Sequence, residues 1–484
     1  MKNKLENKKE FYFGDMAIFI PIVFLITSIL FMVVERKASL KTFWIGGFFS
    51  IFLTYLLAKD KKNFGKKCIK NLNSNTLLNC IVIFLLAGIL SSVLKNSGIS
   101  NAFLTFCMKV GVNAKFLPAI IFIICCVIST LIGTSTGTIS MAVPIFLPLT
   151  ATVNCNPALI LGAIVSGSFF GDNLSPISDT TIISVSTMKV DLYETLKERA
   201  KVSLTCLVLS SLIYTILGHL LIADSAINIT YNNYSLKPIL MMLTFLLMII
   251  LLVRKNDMIS VLLVCDVFAI CISLVCGFIN IGELFSQNSC IISGIEGVFG
   301  VIIFWIFLYI LIGFIPEGII ERFIEKRVNT CNKDTKINFI AILTIILSVI
   351  MVSNNTAAMS IISKFIDKSF KNKTQIEKAN IYDGLSCAVP GLLTYNTAFM
   401  LMVSLAYDTG CLPENFSVVS IMLFSVNSIL LLVTYSIMAL YNPKKHKDDS
   451  LIKQLEETYE APEKVEEEEK TIIIQDIVNN IENK

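Results

Sequence analysis

Residues 116–171 read FLPAIIFIICCVISTLIGTSTGTISMAVPIFLPLTATVNCNPALILGAIVSGSFFG, a run of 56 residues without a charged side chain. One helix of this length would extend about 84 Å, whereas the hydrocarbon core of a bilayer is about 30 Å thick. The run therefore has to cross or re-enter a membrane more than once.

The composition of the whole chain supports the same conclusion. Of its 484 residues, 55% are hydrophobic and 16% charged, and the mean hydropathy is +0.74. An ordinary soluble protein has about 25% charged residues, and fewer could not cover its surface. We predict an all-α polytopic membrane protein with about ten to thirteen transmembrane helices, placed as a multi-pass protein in the cell membrane.

We divide the chain into four parts. Residues 1–15 form an N-terminus with four lysines among its first ten residues, and residues 443–484 form an acidic, flexible tail. Two membrane regions, 16–223 and 237–442, lie between them. The loop 59–70 carries six lysines, so the positive-inside rule places it in the cytoplasm together with the N-terminus. We expect the tail to be cytoplasmic as well.

Small polar residues interrupt the apolar pattern once in each membrane region. The first interruption is GTSTGT at 133–138, and the second is SNNT at 353–356. Polar runs at membrane depth are typical of discontinuous helices that line a cavity. The alternative is that small hydroxyl residues only allow helices to pack closely. The residues predicted to line a cavity are Thr134, Ser135, Thr136, Asn354, Asn355 and Thr356.

The spacing of these features suggests two diverged repeats. Thr136 and Asn355 are 219 residues apart, and Pro176 and Pro390 are 214 residues apart. Paired interruptions in corresponding halves indicate the central site of a secondary transporter.

Candidate ligands concentrate in residues 167–181, GSFFGDNLSPISDTT. Asp172 and Asp179 would lie two turns apart on one helix face, but Pro176 between them favours an unwound or kinked stretch. Ser175 and Thr180 add neutral oxygens that suit a hard cation such as sodium. A carboxylate in a partly desolvated cavity can also exchange protons near neutral pH, so sodium and protons would compete for the same oxygens. The alternative is a polar surface loop with ordinary solvated carboxylates.

The block GDNLSPISDTT at 171–181 resembles the signature of the NhaC-type sodium/proton antiporter family. The similarity extends more weakly to Asp383, Pro390 and Asn396. The chain departs from the family pattern at Thr394 and Tyr395, where a Pro-Trp pair is usual, and at Asn173, where a basic residue is common. Relatives of this family include exchangers of carboxylates such as malate and lactate.

The resemblance implies an antiporter with two inverted repeats, broken helices or re-entrant hairpins, and a cation site near the bilayer midplane. Asp172, Ser175 and Asp179 match the signature directly, and Asp383 and Asn396 follow from the weaker similarity. With Thr180, these residues form our predicted site for sodium and protons. The runner-up interpretation is a sodium- or proton-coupled exchanger of a small organic anion.

Other functional classes lack their usual residues. Two histidines, His219 and His446, supply neither a metal cluster nor a general base with a nucleophile, so we do not expect an enzyme. No phosphate-binding loop of an ATP-driven pump is present, and paired interruptions fit alternating access better than a channel. We expect no cofactor, no transition metal and no nucleic-acid partner; the partners are the lipid bilayer, sodium and protons. A homodimer is an open alternative to a monomer.

Overall fold

The computed structural model describes residues 11–34, 40–100, 102–103, 105, 113–222, 237–254, 256–287, 289–315, 334–366, 369–413 and 416–441. The chain divides into two compact units, Met1–Leu440 and Tyr441–Lys484. The predicted features at residues 1–10 and in the acidic tail 443–484 lie outside the described residues. Within the described part, the one β pairing outside the helices is an isolated bridge between Phe11 and Ala58.

Helices make up the first unit, as the composition predicted. The α-helices are α1 Phe19–Val34, α2 Leu40–Leu57, α3 Phe64–Leu72, α4 Asn75–Ser97, α5 Leu117–Ile132, α6 Ser135–Phe146, α7 Leu149–Thr152, α8 Pro157–Leu174, α9 Asp179–Met188, α10 Leu192–Leu221, α11 Met242–Val253, α12 Met258–Cys276, α13 Ile281–Leu284, α14 Cys290–Ile312, α15 Asp334–Val352, α16 Asn355–Ile366, α17 Gln375–Ala388, α18 Thr397–Asp408, α19 Val419–Leu423 and α20 Val426–Leu440. Short 3-10 turns occur at Asp15–Ile18, Ala114–Phe116, Lys237–Met241 and Val389–Leu392.

Eight helical stretches of the described residues have the length and hydropathy of a membrane span. Four shorter apolar helices accompany them. Two of the eight stretches, Pro157–Met188 and Gln375–Asp408, are interrupted helices whose apolar centres are 94% and 89% buried, against 22% for Leu192–Leu221. The prediction of an all-α polytopic membrane protein is confirmed, and its interrupted helices lie in the protein interior.

The order of elements occurs twice along the chain. In the first half, α5 is followed by a break at 133–134, then α6, α8, a break at 175–178, and α9. In the second half, α15 is followed by a break at 353–354, then α16, α17, a break at 389–396, and α18. We call these the first, second, third and fourth breaks in chain order. That the two series are inverted across a membrane stays a prediction.

The first and third breaks share a backbone conformation. Gly133 ends α5 with φ +75°, and Ser353 follows α15 with φ +61°. Both values lie in the left-handed region, which ends a helix and redirects the chain. The two residues are 220 positions apart, close to the spacing that the sequence predicted.

Small residues hold α5 close to α8 and thereby fix the second break beside the first. A Cβ atom on Gly167 would lie 2.5 Å from Cys125 Cβ and 2.7 Å from the Phe122 carbonyl oxygen. Ser129 donates a hydrogen bond to the Ser168 carbonyl oxygen. Glycine and serine at such contacts let helix backbones approach closely. The arms that carry the candidate site therefore rest on a tightly packed helix pair.

Candidate functional site

A cavity of about 320 Å³ lies where the four breaks meet. It is lined by Cys80, Ile83, Phe84, Ile132, Gly133, Thr134, Ser135, Thr136, Asp172, Ile177, Ser178, Asp179, Thr180, Met258, Asn354, Asn355, Thr356, Asn396, Thr397 and Ala398. All six residues predicted to line broken helices are among them. Four of the six predicted ion-binding residues are also among them, namely Asp172, Asp179, Thr180 and Asn396.

Four helices begin at this cavity. Its lining includes the first residues of α6, α9, α16 and α18, which are Ser135, Asp179, Asn355 and Thr397. The N-terminus of a helix carries unpaired N–H groups and a partial positive charge. This convergence therefore stabilises negative charge in the cavity.

The two halves treat these helix N-termini differently. In the second half, Asn354 Oδ1 accepts a hydrogen bond of 2.9 Å from the Ala357 N–H, and Asn396 Oδ1 accepts one of 3.1 Å from the Ala398 N–H. In the first half, neither Thr134 nor Ser178 caps its helix through its side chain. The N–H groups of α6 and α9 are therefore more available to other charges.

Both carboxylates of the cavity belong to the first half. Asp172 is buried, with 6% of its surface exposed, and faces the hydroxyl and N–H of Ser135 at the start of α6. Asp179 is the first residue of α9 and is exposed at the cavity. We call Asp172 and Asp179 the cavity carboxylates. Each is placed at a helix N-terminus, where an ionised carboxylate is favoured.

Neutral oxygens surround the cavity carboxylates. Thr134 Oγ1 and Thr136 Oγ1 lie 2.8 Å apart, and Ser178 Oγ and Thr180 Oγ1 lie 3.0 Å apart. Thr180 Oγ1 also donates to the Asp172 carbonyl oxygen at 3.1 Å. Hydroxyl and carboxylate oxygens together are ligands that a hard cation prefers.

Ser175 and Asp383 are not among the cavity-lining residues. Ser175 is buried in the second break, where its Oγ accepts a hydrogen bond from the Ile177 N–H at 3.4 Å. Asp383 is fully buried in α17 and pairs with Arg199, with Nη1 and Oδ2 2.7 Å apart. The structure therefore brings four of the six predicted ion-binding residues to one cavity and places the other two outside its lining.

The second half also shows why Asn396 lies at the cavity. Its amide nitrogen donates to the Ser353 carbonyl oxygen at 2.9 Å, which satisfies a group that the third break leaves free. The Thr397 N–H donates to the same carbonyl oxygen at 3.2 Å. The third and fourth breaks are thus joined by hydrogen bonds, and Asn396 both caps α18 and ties it to Ser353.

Sequence reasoning missed Arg199. It stands in the charged segment LKERAK, which is typical of a helix end in water, yet its side chain is fully buried. A periodic pattern could have found it, because α10 buries a polar or small residue every three or four positions. The buried residues of α10 are Thr195, Arg199, Ser203, Cys206, Ser210, Tyr214 and Gly218.

Comparison with known proteins identifies the chemistry of related chains. Residues 10–219 match the model of the Na+/H+ antiporter family. These residues include α5 to α9 and both cavity carboxylates.

Three characterised relatives are similar over parts of the chain. The malate-2H(+)/Na(+)-lactate antiporter of Bacillus subtilis is 34% identical over 96 residues, 20% of each chain. The Na(+)/H(+) antiporter NhaC of Alkalihalophilus pseudofirmus is 25% identical over 189 residues, 38% of this chain and 41% of the relative. The NhaC of Bacillus subtilis is 25% identical over 146 residues, 30% of this chain and 32% of the relative. Each similarity thus spans less than half of the relative's length.

Proposed function

Since residues 10–219 belong to the Na+/H+ antiporter family and the chain resembles its NhaC-type members, we propose that this multi-pass membrane protein exchanges Na+ for H+ across the cell membrane. The observation that supports it most strongly is the pair of cavity carboxylates where four helices begin. On this proposal the protein is a secondary transporter, not an enzyme, and needs no cofactor.

The charge of the cavity supports cation exchange. Two carboxylates line it, and its described lining contains no lysine or arginine. Arg199, the buried cation nearest in sequence to the second break, is paired with Asp383 outside the lining. The cavity therefore offers a net negative charge, which attracts either a sodium ion or protons.

The exchange follows from competition for these oxygens. In one state Na+ is held by Asp172 and Asp179, with Thr180 and the hydroxyls of Thr134 and Thr136 as neutral ligands. In the other state protons neutralise the two carboxylates, so the cation is released. If each loaded form, but not the empty ionised site, allows the cavity to open to the other side, the opposite movements of the two ions are coupled.

A small organic anion is the second candidate substrate. The cavity volume of about 320 Å³ exceeds what a sodium ion needs and falls in the range of about 300 to 1,000 Å³ of ligand sites. The helix starts at Asn355 and Thr397 carry no carboxylate, so they could face an anion. The similarity to the malate-2H(+)/Na(+)-lactate antiporter also supports this candidate.

Proteoliposomes with an internal pH-sensitive dye and an imposed proton gradient test the proposal. Sodium, lithium, potassium, malate and lactate are added one at a time and in pairs. We expect sodium alone to dissipate the gradient. Dissipation only when a carboxylate accompanies sodium would favour the organic-anion exchanger, and no response to any addition would contradict both.

A further inference from the structure

Arg199 is a fully buried cation that contacts three other helices. From α10, its Nη1 donates to the Asn173 carbonyl oxygen of α8 at 2.7 Å and to Thr181 Oγ1 of α9 at 2.9 Å. Nη2 donates to Ser184 Oγ of α9 at 3.2 Å. Arg199 therefore bridges the two arms that flank the second break.

The same guanidinium reaches the second half of the chain. Nη1 lies 2.7 Å from Asp383 Oδ2, and Nε donates to Asn380 Oδ1 at 2.9 Å, both on α17. Asn173 Nδ2 donates to Asp383 Oδ2 at 2.8 Å, and Ser203 Oγ donates to Asn173 Oδ1 at 2.7 Å. Both charged side chains have no exposed surface. The two arms are thus anchored to α17 through one network.

These contacts lie next to the cavity carboxylates in the chain. Asn173 follows Asp172 directly, and Thr181 is two residues after Asp179. A group that holds Asn173 on one arm and Thr181 on the other restricts the separation of the two carboxylates. We propose that Arg199 is a positioning residue that sets the spacing of Asp172 and Asp179, with Asp383 as the counter-ion that anchors it.

Asp383 gains a different role from the one that the resemblance implied. Its Oδ2 accepts hydrogen bonds from Arg199 and Asn173, and it is not among the residues that line the cavity. A buried carboxylate is tolerated when a buried cation and hydrogen bonds compensate it. Asp383 therefore balances the charge of Arg199 and is no ligand of the transported ion.

An arginine suits this place better than a lysine. Its guanidinium is planar and presents five N–H donors in a fixed geometry, whereas an ammonium group offers three donors around one point. Arg199 uses Nε, Nη1 and Nη2 toward groups on three helices. Lysine would keep the charge opposite Asp383 and lose most of the contacts to the two arms.

Arg199→Lys distinguishes positioning from simple charge balance. The inference rests on the proposed sodium/proton exchange, so the wild type is first shown to respond to sodium in the dye assay. We expect the inserted variant to need about tenfold more sodium for half-maximal exchange, because misplaced ligands weaken binding, while its maximal rate changes less. The matched control is Lys201→Gln on the same helix, because Lys201 pairs only with exposed Glu198 at 2.8 Å.

Three outcomes are decisive. A raised sodium requirement in Arg199→Lys but not in Lys201→Gln supports the proposal. An Arg199→Lys protein with wild-type sodium dependence overturns it and leaves a charge-balancing role alone. If the wild type itself shows no sodium response, the proposed function fails and positioning is judged by direct sodium-22 binding, where unchanged binding in Arg199→Lys also overturns it.

A second variant guards against loss of folding. Arg199→Gln combined with Asp383→Asn removes both charges together and leaves neither buried alone, which is the tolerated way to delete a buried pair. This double variant also loses the contacts to Asn173 and Thr181. We expect the same rise in sodium requirement, and wild-type sodium dependence in the double variant would equally contradict the positioning role.

Discussion

The carboxylates of Asp172 and Asp179 should each be indispensable to exchange. Replacing either with asparagine removes one negative charge from the cavity and one group that can bind a proton. We expect sodium-driven proton movement to fall at least about 100-fold, a change of about 2.7 kcal/mol in ion stabilisation. The measurement is dye-reported exchange at equal reconstituted protein.

Glu198→Gln is the matched control for these variants. Glu198 is half exposed on α10 and pairs only with Lys201, so its loss should leave exchange unchanged. Full exchange in both Asp172→Asn and Asp179→Asn would exclude the cavity carboxylates as the ion-binding groups.

Tyr214 provides a test of stability separate from transport. Its hydroxyl donates to the Phe424 carbonyl oxygen and contacts the Gly162 carbonyl oxygen and Ser166 Oγ, at 2.6, 2.9 and 2.8 Å. Tyr214→Phe leaves these buried groups without a partner and should reduce the free energy of unfolding by about 1 to 3 kcal/mol. Thermal unfolding in detergent measures this change. Tyr193→Phe on the same helix, 77% exposed, should have no effect, and equal midpoints for both variants would contradict the argument.

At the scale of the elements, the first break has a specific requirement for glycine. Gly133 has φ +75°, and a Cβ atom there would lie 2.6 Å from Ile177 Cγ1 and 3.1 Å from Ser175 Oγ in the second break. Gly133→Ala should therefore separate the two breaks and reduce exchange in protein that still inserts.

Gly98→Ala controls for backbone strain. Gly98 ends α4 with φ +73°, and a Cβ atom there meets nothing within 4 Å. Both variants carry the same penalty of about 1 to 2 kcal/mol for a left-handed residue. Only Gly133→Ala adds a steric contact, so equal exchange rates in the two variants would show that contact between the breaks is unimportant.

The breaks could be predicted from sequence because small polar residues have few other reasons to interrupt a span. Thr134 and Asn354 stand where helices end and restart, as expected. The pairing of Asp172 with Asp383 failed in position, because helix starts in the two halves are 218 residues apart at Asp179 and Thr397. That spacing places Pro390, rather than Asp383, opposite Asp172.

Arg199 could not be predicted because nothing local distinguishes a buried arginine from a surface one. Its segment contains Lys197, Glu198 and Lys201, and Glu198 and Lys201 form an exposed pair one turn apart. The partners that compensate Arg199 come from residues 173, 181, 184, 380 and 383, which only the tertiary fold brings together. Single-sequence reasoning sees neither the partners nor the burial.

At the scale of the whole molecule, the cavity should be reachable from water in the state described here. Cys80 is half-buried and lines the cavity together with Asp179. A small charged methanethiosulfonate reagent should therefore attach to Cys80 and block exchange, and sodium should slow the reaction by occupying the cavity. Exchange assays after timed exposure measure the rate, and equal inactivation of a Cys80→Ser protein would contradict access through this cavity.

The central claim is that sodium and protons compete for the same two carboxylates. It is tested most directly by the sodium concentration for half-maximal exchange, measured in proteoliposomes at several pH values. Protons remove the negative charge that binds sodium, so this concentration should fall as pH rises, by up to about tenfold per pH unit for each competing proton. A half-maximal sodium concentration that stays constant with pH, while only the maximal rate changes, would contradict a shared site.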